Sequence, residues 1–167
     1  MKGSGGDILY LDFDGVLHHE NVIWSRHIGA YLSAPAGYVL FQHCDLLINV
    51  LKPYPQIKLV LSTSWARVYG CAKATKMLPP TLRTRVVGAT WHSQMDKVLF
   101  LQKSRGEQVW SDVSRRKPRA WIALDDDYEN WPTHCLNHYI RTNPEEGISD
   151  PEVLGLLKSK LEEVFAG

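Results

Sequence analysis

The chain has 167 residues, of which 44% are hydrophobic and 22% charged, so it can bury a sizeable core. This composition excludes an intrinsically disordered protein. The formal net charge of +1 excludes the strong overall attraction to nucleic acids or anionic membranes that very basic proteins show.

Cysteine spacing and the lack of long apolar runs predict the cellular location. The three cysteines are widely spaced and form no CxxC pair, so we expect neither a disulfide framework nor a zinc site. No run approaches the roughly 18 apolar residues of a membrane helix, and the first residues lack the apolar core of a signal peptide. The sequence therefore predicts a soluble, cytoplasmic protein that does not enter membranes. It does not predict an oligomeric state.

The first part of the chain predicts two buried strands with a helix between them. The apolar run at residues 8–11 follows a glycine-rich leader and predicts the first strand. Residues 13–37 are predicted to be irregular. Residues 38–52 are mostly apolar at helical spacing and predict a helix that two prolines end. Residues 57–61 predict the second strand. After Ser62-Thr63-Ser64-Trp65 we expect a helix that carries Val68 and continues towards Met77, until the next pair of prolines.

The second part predicts three more strands. Residues 85–89 predict a third strand, and residues 91–104 predict a loop with a partial helix. Residues 106–116 predict a further helix. Residues 121–124 predict a fourth strand, and residues 136–141 a fifth.

A clear start signal precedes the last predicted helix, which covers residues 151–166. Ser149 or Asp150 can cap it, and Pro151 suits its first turn. Strands alternating with helices predict an α/β fold, in which a central parallel sheet of about five strands is covered by helices on both faces. We expect this three-layer, Rossmann-like arrangement to form one domain over residues 1–167, with its core at about residues 7–157.

A D-x-D-G pattern follows the first predicted strand. Asp12 and Asp14 are two residues apart, so their side chains share a face in extended backbone, and Gly15 permits the chain to turn away. Two carboxylates this close repel each other unless a cation lies between them, and Mg²⁺ is the simplest hard cation with oxygen ligands. A calcium-binding loop begins similarly, but it needs further ligands and flanking helices. A loop-initiating acidic turn is the simpler alternative.

Polar clusters also follow the second and fourth predicted strands. Ser62-Thr63-Ser64 offers hydroxyls and free backbone amides that suit a phosphate, although helix capping explains such residues equally. Asp125-Asp126-Asp127 places three acids at a strand end, where they need a cation unless they lie in a surface turn. Open α/β sheets bind ligands at the carboxyl ends of their strands. The three clusters together therefore predict a metal-dependent site for phosphate.

These patterns resemble motifs of the haloacid dehalogenase (HAD) superfamily. Residues 8–16, ILYLDFDGV, look like its first motif, which is an apolar strand ending in D-x-D-G-V. Residues 59–63 look like its second motif, and residues 122–126 look like its fourth. The resemblance covers about residues 7–157 and implies the fold predicted above.

The third motif of that superfamily is a single Lys or Arg. Arg105, at the head of a predicted helix, fits it best, and Lys103 and Lys97 are rivals. Further matches, including Ser64-Trp65 and Gly106-Glu107, resemble a small, cap-poor bacterial group. Some relatives of that group are associated with nucleic-acid repair.

The resemblance implies a Mg²⁺-dependent phosphatase. Asp12 would attack phosphorus and form an aspartyl-phosphate. Asp14 would protonate the leaving oxygen and then activate water. The ligands implied for Mg²⁺ are Asp12, the main-chain carbonyl of Asp14, and Asp126 or Asp125.

The remaining implied roles concern the phosphoryl group. Thr63 or Ser62 would hydrogen-bond its oxygens, and Arg105 would offset its charge. Thr63 fits the pattern of the small group better than Ser62 does. Because three acids are consecutive, the metal ligand register among residues 125–127 stays open.

The lengths of the insertions bear on the substrate. Residues 16–37 leave room for a flap and little more, and residues 66–104 must already hold a helix and a strand. We expect minimal or no cap and an open site, which suits a phosphate on a small molecule or on a nucleic-acid end. Dehalogenation and phosphonate cleavage fit the pattern less well. A catalytically silent, metal-binding regulatory module on the same fold is the main alternative.

Aromatic residues near the predicted site have no assigned role. His18, His19, Trp24 and His27 lie in the flap region and could touch substrate, although packing or exposure explains each more simply. Trp65 is interpreted as a core or rim aromatic.

Overall fold

The computed structural model describes residues 1–166 as strands that alternate with helices. The elements are β1 (Asp7–Leu11), β2 (Val22–Ser25), β3 (Gly29–Leu32), α1 (Cys44–Leu51), β4 (Lys58–Leu61), α2 (Ser64–Tyr69), α3 (Cys71–Met77), α4 (Pro80–Arg83), β5 (Val86–Ala89), α5 (Lys97–Gln102), α6 (Arg105–Arg116), β6 (Ala120–Asp125), a 3₁₀ helix (Thr133–His138), β7 (Tyr139–Arg141) and α7 (Pro151–Phe165). Five strands form one sheet in the order β5-β4-β1-β6-β7, and all its neighbouring pairs are parallel.

Two hydrophobic cores lie on opposite faces of this sheet. Leu9 and Leu11 of β1 belong to the core that α1 and α7 cover, whereas Ile8 and Tyr10 belong to the core that α6 covers. Side chains alternate along a strand, so a strand that is apolar throughout is buried on both faces. The predicted three-layer α/β arrangement is confirmed.

The register of the central strands decides where the polar clusters meet. Leu11 of β1 pairs with Leu61 of β4 on one side and with Leu124 of β6 on the other. These three leucines are therefore side by side, and each is followed by a polar residue. The strands are parallel, so all three polar segments leave the sheet at the same edge.

Two predictions in the first half of the chain were wrong. Residues 13–37 are not wholly irregular, because they contain the antiparallel hairpin of β2 and β3. The helix expected over residues 38–52 covers only residues 44–51, because Phe41 has a φ of +59° that no right-handed helix allows.

The helix expected from about Val68 towards Met77 is interrupted. Gly70, with a φ of +85°, separates α2 from α3, a conformation that glycine adopts without steric cost. Residues 80–83 form the additional short helix α4.

The fifth strand is shorter than predicted. Residues 133–138 form a 3₁₀ helix after Pro132, so only residues 139–141 of the expected strand pair with β6. Of the two candidate caps for α7, Asp150 is the cap, since its carboxylate accepts the amides of Glu152 and Val153.

The hairpin of β2 and β3 is the flap expected after the first motif. Trp24 of β2 packs against Trp65 and Tyr69, with ring centroids 4.9 and 5.2 Å apart. This contact joins the flap to α2, beside the polar edge of the sheet. Among residues 1–166, no helix has the length and apolar composition needed to cross a membrane.

Candidate active site

Asp12 lies at the centre of the polar edge, directly after β1. Its side chain is buried, and its Oδ1 accepts the amide of Phe13 at 2.8 Å. Burial raises the pKa of this carboxyl, the guanidinium of Arg105 opposes the rise, and the charge of Asp14 adds to it. A buried carboxylate in this position needs a positive partner to stay ionised at neutral pH.

Three carboxylates converge at this point. Asp12, Asp125 and Asp126 each offer an oxygen atom, and these atoms lie within 4.8 Å of one another. Asp125 is 0% exposed, and its Oδ2 has no hydrogen-bond partner among residues 1–166. Burial and then the charge of Asp12 raise the pKa of Asp125, and the same two causes raise the pKa of Asp126 to about 7. A hard divalent cation would offset these costs, so the residues present fit Mg²⁺.

Asp127 lies outside this group. Its side chain is exposed, and its Oδ1 accepts the amide of Glu129 at 3.0 Å. Within the triple acid, the structure thus brings Asp125 and Asp126 to Asp12 and leaves Asp127 in the turn that follows.

Gly15 permits the close approach of the first loop to the triple acid. It has a φ of +71°, and a Cβ at this position would overlap the Asp126 carboxylate. The hydroxyl of Thr142, the residue after β7, donates to the carbonyl of Gly15 at 2.6 Å and so holds the loop in place. Only glycine satisfies both the backbone angle and the contact.

We expect Gly15→Ala to weaken Mg²⁺ binding by at least about tenfold, because the new methyl group displaces a carboxylate of the cluster. Gly37→Ala is the matched control, since Gly37 also has a positive φ (+100°) but has open space around it. Calorimetric titration with Mg²⁺ would compare the two variants. Equal affinities would show that Gly15 contributes only backbone freedom.

Arg105, the first residue of α6, carries the positive charge of the site. Its Nη2 lies 4.0 Å from Asp12 Oδ2, and its Nε lies 3.4 Å from Asp125 Oδ2. Burial alone would lower its pKa, but Asp125 and Asp12 raise it, so the guanidinium stays charged. Of its two rivals, Lys103 donates to Ser111 at 2.8 Å beside a neighbouring cavity, and Lys97 starts α5 on the surface.

The hydroxyls of Ser62 and Thr63, which follow β4, differ in their hydrogen bonds. Thr63 is the N-cap of α2, and its Oγ1 accepts the amide of Trp65 at 3.3 Å. A hydrogen bond from its hydroxyl is also one of the causes that lower the pKa of Asp12. Ser62 is only 1% exposed, its Oγ has no hydrogen-bond partner within residues 1–166, and it lines, as Thr63 does, the cavity next to the one at Asp12. Of the two, only the hydroxyl of Thr63 acts on the pKa of Asp12, so we assign Thr63 to the carboxylate cluster.

Asp14 lies at the wall of the open cavity, with 23% of its side chain exposed. Its Oδ1 accepts two hydrogen bonds, from Trp65 Nε1 at 2.8 Å and from His18 Nε2 at 2.9 Å. The cavity has a volume of about 480 Å³ and is also lined by Asp12, Arg105 and Asp126. Asp14 therefore faces the space in which a ligand of the carboxylate cluster would lie.

Residues 8–153 match the family described as the HAD domain in Swiss Army Knife RNA repair proteins. The chain belongs to this family. It is therefore a HAD-type hydrolase domain, as its motifs predicted. No curated protein and no solved structure matches the chain significantly.

Two residues of this HAD domain were not identified as site residues from the sequence. His18 was interpreted as a residue that could touch substrate, and Trp65 as a core or rim aromatic. Trp65 is indeed buried in the core, and both residues also hydrogen-bond to Asp14. The spacing of four between Asp14 and His18 carries no signal, because the segment is not helical. Of the other flap residues, His19 accepts the amide of Asn21, and His27 is exposed.

Proposed function

We propose that this HAD domain is a Mg²⁺-dependent phosphomonoesterase that acts through an aspartyl-phosphate on Asp12. The observation that carries the proposal is the convergence of three buried or half-buried carboxylates at an open cavity, where two of them lie beside the guanidinium of Arg105. A structural role would not need this arrangement, because its electrostatic cost is high without a ligand.

The side chains suit a two-step transfer. In the first step a carboxylate oxygen of Asp12 forms a bond to phosphorus as the bond to the leaving oxygen breaks. Asp14, two residues away, donates a proton to that oxygen. In the second step Asp14 accepts a proton from water as the water oxygen attacks phosphorus, which releases phosphate and restores Asp12.

The other residues hold the phosphoryl group. The guanidinium of Arg105 is held beside Asp12 by two carboxylates and would offset the charge of the phosphoryl oxygens. The hydroxyl of Thr63 would donate to one of those oxygens. Asp12, Asp125 and Asp126, with the main-chain carbonyl of Asp14, would hold Mg²⁺, which supplies charge neutralisation for the phosphoryl oxygens when it is bound.

The first test is hydrolysis of p-nitrophenyl phosphate with Mg²⁺ or with EDTA. We expect turnover that depends on Mg²⁺. If no phosphate is released from this ester or from phosphorylated oligonucleotides, the domain is a silent metal-binding module and the proposed activity is wrong.

A second cavity indicates where an extended leaving group would lie. It has a volume of about 220 Å³ and shares Ser64, Arg105, Asp127 and Glu129 with the cavity at Asp12. It is also lined by Arg67, Lys103, Thr90, Gln108, Asn130 and the hydroxyl of Ser62, which has no hydrogen-bond partner within residues 1–166.

This second cavity suits a substrate with a further phosphate. Arg67 and Lys103 form no ion pair within residues 1–166, so their charges are free for a ligand. The family description refers to RNA repair proteins. The substrate we propose is accordingly a terminal phosphate on an RNA strand, with the adjacent phosphodiester at Arg67 and Lys103.

We expect the double substitution of Arg67→Gln and Lys103→Gln to raise the KM for a 3′- or 5′-phosphorylated oligonucleotide about tenfold more than the KM for p-nitrophenyl phosphate. The physical reason is that only the oligonucleotide carries a second phosphate. Lys97→Gln, which removes a surface charge from α5, is the control for general electrostatics. An equal change in both KM values would show that the oligonucleotide does not bind at Arg67 and Lys103.

A further inference from the structure

His18 is a buried histidine that takes no direct part in the proposed chemistry. It is 0% exposed, and both ring nitrogens are engaged. Nδ1 accepts the main-chain N–H of Phe41 at 3.1 Å, so Nδ1 carries a lone pair and the ring hydrogen is on Nε2. The contact of 2.9 Å between Nε2 and Asp14 Oδ1 is therefore a hydrogen bond that His18 donates.

Trp65 donates to the same oxygen. The indole N–H can act only as a donor, and its Nε1 lies 2.8 Å from Asp14 Oδ1. Within residues 1–166, no protein group is hydrogen-bonded to the other oxygen, Oδ2. The two oxygens of Asp14 thus differ, because Oδ1 accepts two hydrogen bonds and Oδ2 accepts none within residues 1–166, in a side chain that lines the open cavity.

The backbone that orients His18 is strained. Phe41 adopts a φ of +59°, a left-handed conformation that is rare for a bulky residue. Its ring packs edge-on against Phe13, His18 and Trp65, at centroid distances of 5.3, 4.8 and 5.2 Å. Strain that the surrounding packing maintains is concentrated at functional sites. Here the strained conformation orients the main-chain N–H of Phe41, and the hydrogen bond from this N–H fixes the tautomer of His18.

We propose that His18 and Trp65 are positioning residues that hold Oδ1 of Asp14 and thereby present Oδ2 to the leaving group. Since Oδ1 already accepts two N–H donors, the proton of the neutral acid is on Oδ2. The same Oδ2 then takes a proton from water in the second step. The inference rests on the proposed function, because it assigns a geometry to the acid of that reaction.

Leaving groups of different basicity separate this role from a structural one. p-Nitrophenolate leaves without a proton, whereas the alkoxide from glycerol phosphate needs one as the bond to phosphorus breaks. The value of kcat/KM covers the steps up to departure of the leaving group and excludes hydrolysis of the aspartyl-phosphate. A misplaced acid therefore lowers kcat/KM for the alkyl ester more than for the aryl ester.

The experiment measures kcat/KM for both esters in the wild type, Trp65→Phe, His18→Leu and His18→Gln. We expect Trp65→Phe and His18→Leu to lose at least about tenfold more on glycerol phosphate than on p-nitrophenyl phosphate. His18→Gln keeps an N–H donor and a carbonyl acceptor, so it should recover most of the selective loss. Trp110→Phe, on the exposed part of α6, is the control for tryptophan loss.

The outcomes separate the two proposals. Equal losses on both esters, or no loss, would overturn the positioning role while the phosphatase activity stands. A wild type that cleaves neither the esters nor phosphorylated oligonucleotides would overturn the proposed function, and with it the acid that these residues are inferred to position. Activity on p-nitrophenyl phosphate in each variant also shows that the variant is folded.

Discussion

Asp12→Asn is expected to lower kcat for p-nitrophenyl phosphate by about 10⁴-fold or more, because the amide cannot form the covalent intermediate. The protein should remain folded. The Asn side chain can still accept the amide of Phe13, which Asp12 Oδ1 accepts at 2.8 Å. The substitution also removes a buried carboxyl group whose pKa is raised mainly by burial. Steady-state kinetics and a thermal melt in EDTA would measure the two effects together.

Asp45→Asn is the matched control for this prediction. Asp45 is exposed in the first turn of α1, away from the polar edge of the sheet. It should leave kcat near the wild-type value. Full activity in Asp12→Asn would show that Asp12 is not the nucleophile, whereas a lower melting temperature would show that its carboxylate stabilises the fold.

Asp125→Asn is expected to have opposite effects on metal binding and on stability. Loss of a carboxylate from the cluster should raise the dissociation constant for Mg²⁺ by at least about tenfold. The metal-free protein should become more stable at neutral pH. The folded state raises the pKa of Asp125, so the ionised form opposes folding above its usual pKa, and a neutral amide removes that cost. A gain of about 1 kcal/mol would raise the melting temperature by about 2–4 °C.

The comparison with Asp127→Asn makes this second prediction specific. Asp127 lies two residues along the same turn, but it is exposed and outside the carboxylate cluster. Calorimetry with Mg²⁺ and thermal melts in EDTA would be run on both variants. If Asp127→Asn weakens Mg²⁺ binding as much as Asp125→Asn does, the ligand register proposed for the triple acid is wrong.

The sequence was most informative where a local pattern has one physical interpretation. The strands at residues 7–11 and 120–125 are apolar along most of their length, so it could be predicted that they are buried on both faces in a parallel sheet. Acids at the ends of such strands predicted the shared edge at which Asp12, Asp125 and Asp126 converge. The family match over residues 8–153 agrees with the same motifs.

Local patterns failed where a tertiary contact overrides propensity. The short strands of the flap have intermediate or exposed side chains and no clear period, and Trp24 holds the flap by packing on Trp65. The apolar spacing of residues 38–52 suggested one helix, but Phe41 takes a left-handed conformation within a cluster of aromatic rings. Such interactions join residues far apart in the chain and leave no local signal.

The sequence by itself determined the five strands of the main sheet, the α/β class and the residue types at the strand ends, because each follows from burial and from periods of a few residues. Only the tertiary structure decided which member of each polar cluster reaches the centre. The register of three parallel strands brings Asp125 and Asp126 to Asp12 and leaves Asp127 in the turn. The fold also brings Trp65 and His18 to one oxygen of Asp14, a distinction between two atoms that depends on distances the chain acquires only when it is packed.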